Sequence, residues 1–221
     1  MLAVLYDIHA NLPALEAVLA DTRAQGADRY FLGGDYTGFG PFPHETLAVL
    51  KALENAVWIR GNGERWLREP PADRPEIVPF VEQEARELGE ETVAWLYGLP
   101  ERMELDGNLY VHGSPLSDVE SFAAEPRPDD EQILAGVRDR TIVFGHGHLQ
   151  FRRPGPSGTD LVSPGSVGMP LDGDTRAAWA SWDGDFAFRR IEYDVERAAA
   201  AASKLGEFGQ MMIHRYRYAS D

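Results

Sequence analysis

Cysteine is absent from this 221-residue chain, which excludes disulfides, thiolate metal ligands and a cysteine nucleophile at once. Any metal ion must then be held by nitrogen and oxygen donors. Long hydrophobic runs are missing too. The opening segment MLAVLYDIH has only a short apolar stretch before Asp7 and no basic residues ahead of it, too little for a secretory signal. No other stretch approaches the roughly 20 apolar residues of a membrane-spanning helix, so the expectation is a cytoplasmic protein with no membrane partner. Positive charge is scarce as well: 21 Lys and Arg face 36 Asp and Glu, a net charge of −15. Such a field repels polyanions and argues against duplex nucleic acid as a partner. Small anions stay admissible, because bound cations would reverse the field inside a single pocket.

What the chain does contain is enough apolar material for one core. Hydrophobic residues make up 43% of its 221 positions, which suits a single domain over residues 1–221 and is compatible with a monomer or a homo-oligomer. Five short β-rich runs recur, LAVLYDIH, RYFLGGD, AVWIRGN, NLYVHG and TIVFGHGH, each running into a polar residue, most of them beside glycine. Between the first three the spacing is helical: Leu12, Leu15, Val18 and Leu19 stripe the segment up to Gln25, and Leu47, Leu50 and Leu53 stripe the segment from Pro43. Asn11 reads as the N-cap of the first helix, with Pro13 just inside and Gly26 as its C-cap. Residues 69–79, rich in proline and charge, read as a surface loop, and residues 81–99 as one or two helices. After His148, the runs LVSPGSVG, RAAWASWDG and DFAFRRIEY predict a second, more antiparallel sheet, the last two joined at a Gly-Asp turn. Residues 193–221 read as a C-terminal helix and tail. Alternating strands and helices make an α/β fold with a largely parallel sheet, whose ligands collect beyond the carboxyl ends of the strands.

At those ends stand Asp7, His9, Asp35, Asn62, His112, His146 and His148. Carboxylate, imidazole and amide oxygen together suit divalent ions of the Mn, Fe, Zn or Mg class, and two such ions a few ångströms apart need a bridging ligand, a role a carboxylate fills. In Asp-x-His and His-x-His, alternate residues on an extended segment point to the same side. Each residue taken singly has a plainer explanation, since Asp and Asn form turns or caps and lone histidines are commonly solvated. What points to metal is the gathering of four of the six histidines with two Asp and one Asn at successive strand ends.

These blocks resemble the calcineurin-like metallophosphoesterase superfamily, and within it the small bacterial and archaeal phosphodiesterase branch. YDIHAN is similar to that branch's Ser-Asp-x-His-Gly-Asn, and GGDYTGFGP to its Gly-Asp block. RGNGE, HGSP, GHGH and SPGSVG are similar to its Gly-Asn-x-Asp, His-Gly-Ser-Pro, Gly-His-Thr-His and Asn-Pro-Gly-Ser-Val-Gly blocks, so the likeness spans about residues 1–193. The resemblance implies a four-layer calcineurin-like metallophosphoesterase fold, two packed mixed β-sheets flanked by α-helices. It implies two divalent metal ions, manganese foremost with Fe, Ni, Zn or Mg as alternatives, that share Asp35. Asp7, His9 and His148 would complete one site and Asn62, His112 and His146 the other. It also implies that a metal-bridging hydroxide, supported by Asp35, Asn62 and His112, attacks the phosphate ester.

The sequence departs from that pattern in places. Gly63 and Glu64 stand where many relatives carry His or Cys followed by Asp, so the histidine thought to protonate the leaving oxygen has no counterpart, which favours good leaving groups. Tyr6, Ala10 and Ser163 replace Ser, Gly and Asn around the pocket. His44 is the candidate replacement acid and, with Asn11 and Arg60, a candidate substrate contact, although a solvated surface position is the commoner fate of such a histidine. Arg65, Arg152 and Arg153 are further candidates to meet phosphate, and Trp66, Tyr36 and Phe39 to stack on a ring. The expected activity is metal-dependent hydrolysis of a phosphodiester or phosphomonoester of a small molecule or nucleotide. A dinucleoside polyphosphate hydrolase of the diadenosine tetraphosphate type is the alternative, followed by a non-catalytic scaffold with the same fold.

Overall fold

Every β-rich run forms a strand that stops just short of its polar residue. The computed structural model describes residues 1–220. In chain order, β1 (Leu2–Leu5), α1 (Leu12–Ala24), β2 (Arg29–Leu32), α2 (Pro43–Lys51), β3 (Ala56–Trp58) and α3 (Asn62–Trp66) come first. Two further helices follow, α4 (Val78–Leu88) and α5 (Glu90–Tyr97), and then β4 (Arg102–Leu105), β5 (Asn108–Val111), α6 (Asp130–Ile133) and β6 (Thr141–Val143). The chain closes with β7 (Gln150–Pro154), β8 (Asp160–Pro164), β9 (Ala177–Trp182), β10 (Phe186–Ile191), α7 (Val195–Ala202) and α8 (Gly206–Tyr218). Helix α1 begins and ends as its residues dictate. The Asn11 carboxamide oxygen accepts from the Ala14 amide at 3.2 Å, and Gly26, at φ 83, closes the far end by donating to the Arg23 carbonyl at 3.0 Å.

Two five-stranded sheets result, in the orders β10-β9-β1-β2-β3 and β4-β5-β6-β8-β7. Strands β1, β2 and β3 run parallel, as do β5, β6 and β8. Two expectations about the sheets need correction. The β9–β10 hairpin does form, but it adds to the first sheet through antiparallel pairing of β9 with β1. The second sheet is built instead on β5 and β6, which sequence spacing alone assigns to the first. Period-2 apolar alternation specifies which face of a strand is buried, not which neighbour it pairs with.

The alternation in β1 sets up the layers. Leu2 and Val4 face the second sheet among Phe31, Tyr110, Val143 and Val162, with Phe31 stacked on Tyr110 at 4.0 Å. Ala3 and Leu5 face the other way, under Leu15, Val18 and Leu19 of α1, Leu47 and Leu50 of α2, and Leu96 of α5. The outer face of the second sheet is covered by Phe122, Ile133 and Leu134. Helix, sheet, sheet and segments around α6 thus form four layers, and each fully buried aliphatic side chain contributes about 1.5–3 kcal/mol to holding them together.

The segment expected as one or two helices over 81–99 is two, α4 and α5, parted at Gly89 (φ 79). The single C-terminal helix expected is likewise two, because the chain turns at Gly206 with φ 65, outside the helical region. Among the described residues, no helix is long and apolar enough to cross a membrane.

Candidate metal site

The turns after the strands bring all seven candidate ligands to one edge of the sheet sandwich, in two clusters. Ligand atoms of Asp7, His9 and His148 lie within 4.8 Å of one another, and so do those of Asp35, His112 and His146. Asn62 Oδ1 joins the second cluster, 2.9 Å from His112 Nε2 and 2.7 Å from His146 Nδ1. Asp35 stands between them, with Oδ2 3.8 Å from His9 Nε2 and Oδ1 3.5 Å from His112 Nε2. The extended-strand reason for the Asp-x-His and His-x-His spacings does not hold. Asp7, His9, Asp35, His146 and His148 all adopt positive φ, between 48 and 65, so the backbone coils at these five of the seven, and His146 and His148 fall in different clusters. Left-handed non-glycine residues are costly and gather where surrounding structure enforces them, commonly at functional sites.

Three of the imidazoles are locked in one tautomer. His9 Nδ1 donates to the Gly38 carbonyl (3.1 Å), His112 Nδ1 to Gly33 (2.9 Å) and His148 Nδ1 to Met169 (2.7 Å). A carbonyl only accepts, so in the neutral rings Nε2 carries the lone pair and points inward. His9 Nε2 and His148 Nε2 then face each other at 3.1 Å, acceptor against acceptor, a contact a cation between them would relieve. Asp7 Oδ1 is buried without a hydrogen-bond partner among the described residues, while its Oδ2 accepts from the His146 amide at 3.0 Å. Asn62 shows the same conflict, its oxygen turned toward two ring nitrogens. Turning the amide over would let its nitrogen donate to both His112 and His146, the arrangement that suits the protein without an ion, whereas oxygen inward suits a cation. This donor set fits a pair of divalent cations.

Without cations the cluster holds protons in their place. Burial, reinforced by Asp35, pushes the Asp7 carboxyl up to about 8. Burial works against charge on His112, but the carboxylates of Asp35 and Asp7 carry it up to about 10. Asp35 also resists ionisation by burial, yet His112, followed by His9 and His146, pulls it far below the usual carboxylate range. Burial holds His9 and His148 below the ordinary imidazole value and brings His146 down to about 4.

Two residues that the sequence reading did not single out as functional hold this arrangement. Glu64, fully buried, accepts from the backbone amides of Asp35, Tyr36 and Gly61, each at 2.8 Å, and so ties the turn after β2 to the turn after β3. Its signal in the sequence is a glutamate three residues beyond the N-cap position of a helix. Glu84 accepts from the Gly38 amide at 2.7 Å, steadying the loop whose carbonyl holds His9. It is legible as an acid on the apolar stripe Val81, Glu84, Leu88 of α4. Gly34 has φ 97, and a Cβ there would lie 2.6 Å from the Gly61 amide and 2.7 Å from His112 Nδ1, so only glycine lets these turns close on one another.

The candidate substrate contacts fare less well. Asn11 is fully buried and spends its amide on the α1 cap and on the Gly168 carbonyl, 2.8 Å away. His44 is exposed on the first turn of α2 and lines none of the cavities at the cluster, which favours the surface reading. Arg60 does line a polar cavity of about 430 Å³ beside His112, but its guanidinium binds the Tyr97 carbonyl and Glu101. Arg65 pairs with Asp118 in the same cavity. Arg152 and Arg153 are engaged with Asp160, Asp185 and Asp130. Tyr36 is buried with its hydroxyl on the Leu32 and Ile59 carbonyls, whereas Phe39 and Trp66 line a second cavity, of about 330 Å³, that opens on the cluster.

Comparison with known proteins gives the family and the fold. The family model for calcineurin-like phosphoesterases matches residues 2–174. An uncharacterized protein of Methanocaldococcus jannaschii is 27% identical over 227 residues, covering 90% of each chain. The crystal structure of a metallophosphoesterase from Sphaerobacter thermophilus is 27% identical, with a TM-score of 0.81 over 99% of both chains. A hypothetical protein from Pyrococcus horikoshii shares the fold at 22% identity, with a TM-score of 0.83 over 100% of both chains.

Proposed function

Since this chain belongs to the calcineurin-like phosphoesterase family and is therefore a phosphoric ester hydrolase, we propose that it uses two divalent cations, manganese foremost, to hydrolyse a phosphodiester or phosphomonoester of a small molecule or nucleotide. The observation that carries this reading is Asp35, which turns one carboxylate oxygen to each His/Asp cluster. Asp7, His9 and His148 would hold one cation and Asn62, His112 and His146 the other. When bound, such cations supply charge neutralisation for the phosphoryl oxygens and a water acidified enough to attack phosphorus. The protein's own part is to keep the donors still. Backbone carbonyls orient three imidazoles, Glu64 holds the amide of Asp35 itself, and no side chain has to serve as nucleophile.

Gly63 supports a preference for good leaving groups, since it offers no proton. Its role is backbone approach: its amide donates to Asp35 Oδ1 at 2.7 Å, and a Cβ at this position would lie 2.9 Å from that same oxygen. Gly63→His is therefore expected to displace Asp35 and lower kcat/KM by roughly tenfold or more, rather than add the ~10²–10⁴-fold of a working general acid. Steady-state kinetics on an activated and an unactivated ester check this. A faster variant on the unactivated ester would show that the extra imidazole is accommodated and useful.

The reading as a whole is tested by crossing Mn, Fe, Ni, Zn and Mg with aryl monoesters, aryl diesters, cyclic nucleotides and dinucleoside polyphosphates. Aryl diesters with manganese are expected to give the highest kcat/KM. Dinucleoside polyphosphates outpacing them would favour the polyphosphate hydrolase instead. No turnover with any pair would leave a scaffold of this fold and end the proposal.

A further inference from the structure

The cavity of about 330 Å³ has two unlike walls. One is the cluster itself. The other is Phe39, Ile77, Met169, Leu171, Phe208 and Met211, which present no hydrogen-bonding group stronger than a thioether, while Trp66, Arg74, Glu76 and Arg215 complete the lining. At about 30 Å³ of liquid volume per water, the space holds far more than a phosphoryl group, and it falls within the ~300–1,000 Å³ of ordinary small-molecule sites. A sugar or polyol seated against Phe39, Phe208 and Met211 would leave the hydroxyls on that side without partners, at a cost in affinity. A flat apolar group would lose nothing.

The wall is built for rings. Phe208 of α8 stacks on Phe39 at 5.2 Å and on Phe80 at 4.5 Å, with interplanar angles of 16°. Phe39 in turn lies 5.8 Å from the His9 imidazole, so the aromatic surface starts at a candidate ligand and runs away from it. Phe39, Phe208 and Met211 are only half-buried although each packs against or belongs to a core cluster, and they line the cavity. They come from a loop next to Asp35 and from the C-terminal helix.

We propose that the organic group of the substrate ester is an apolar ring seated against Phe39, Phe208 and Met211, so that helix α8 determines which esters the cluster hydrolyses. This rests on the phosphoesterase reading above. It adds the chemical class of the group attached to phosphorus and names residues outside the candidate ligand set.

The test holds the chemistry constant and changes only the group that stays on phosphorus. Phenyl 4-nitrophenyl phosphate and methyl 4-nitrophenyl phosphate release the same 4-nitrophenolate. The metal-loaded protein is expected to favour the phenyl ester in kcat/KM by tenfold or more, in line with the ~10–200-fold that an apolar pocket gives per small apolar increment. Phe208→Ala and, separately, Met211→Ala are expected to bring that ratio down several-fold each, with thermal unfolding confirming that the variants fold. Binding of phenylphosphonate against methylphosphonate, measured by calorimetry, gives a readout independent of turnover. Turnover of both esters with no phenyl preference, or an unchanged ratio in both folded variants, would overturn the inference and leave the phosphoesterase reading standing. No turnover of either ester, with phenylphosphonate still bound at least tenfold more tightly in the wild type and not in the variants, would do the reverse.

Discussion

Asp35→Asn is expected to lower kcat by at least about 10³-fold while the fold survives, since transition-state stabilisation by a metal centre amounts to several kcal/mol and each 1.36 kcal/mol is a factor of ten. The substitution keeps the shape of the side chain and an oxygen able to accept from the Gly63 amide, as Asp35 does at 2.7 Å. What it removes is the anion. His9 and His112, which flank the two carboxylate oxygens at 3.8 and 3.5 Å, would then face an amide that cannot offer a donor oxygen to both clusters. Kinetics on an aryl phosphodiester, circular dichroism and metal analysis together check this. The variant should retain its spectrum and bind less metal, and rates near wild type would remove Asp35 from its bridging role.

Removal of the cations should abolish turnover and make the stability of the protein depend on pH in a particular sense. In the cation-free protein Asp7 titrates at about 8, far above an unfolded aspartate. A group raised in this way lends stability that is complete below its unfolded pKa and is lost as pH rises through its folded pKa. His112, held up to about 10, acts in the same direction above pH 6.5. The depressed histidines His9, His146 and His148 act in the opposite sense, and chiefly below pH 6.5. From pH 6.5 to 8, then, the chelated protein should lose about 1.4 kcal/mol per pH unit for each group that keeps a proton only when folded, a Tm decrease of roughly 5 °C or more for a chain of this size. Glu84 and Glu64, both pushed up to about 7 by burial, the second with help from Asp35, are not candidate ligands and tilt loaded and stripped protein in the same sense, so the difference between the two reports chiefly on the ligands. With cations bound the profile should be shallower, and calorimetry at pH 7 should register the release of about two protons on loading. Identical profiles for loaded and chelated protein would mean that the cluster binds no cation.

Much of this was legible in the residues. Strand ends are visible because β-rich runs stop at polar positions, and the seven residues found there do converge. Helix α1 was readable from Asn11, Pro13 and Gly26, because caps act locally. Sheet membership was not readable, because β9 pairs with β1 across most of the chain and nothing near residue 177 announces that partner. The left-handed turns at the ligands were also hidden, since aspartate and histidine, though enriched at such φ values, adopt them in only a small share of positions and nothing local marks which. The supporting roles of Glu64, noted only as a departure from the family pattern, and of Glu84 escaped notice for a related reason. A buried carboxylate looks like a surface one until the amides it serves are known. His44 shows the converse, a residue made prominent by the missing imidazole at position 63 and placed by the fold on an open helix face.

The position of β1 in its sheet has a consequence for how the protein is made. This strand lies between β2 and β9, so one of its edges can be completed only after residues 177–182 have left the ribosome. At translation speeds of about 5–20 residues per second, the nascent chain carries an apolar, unpaired N-terminal edge for on the order of 10 s. Over that interval the edge that β9 will cover is open to pairing with another chain.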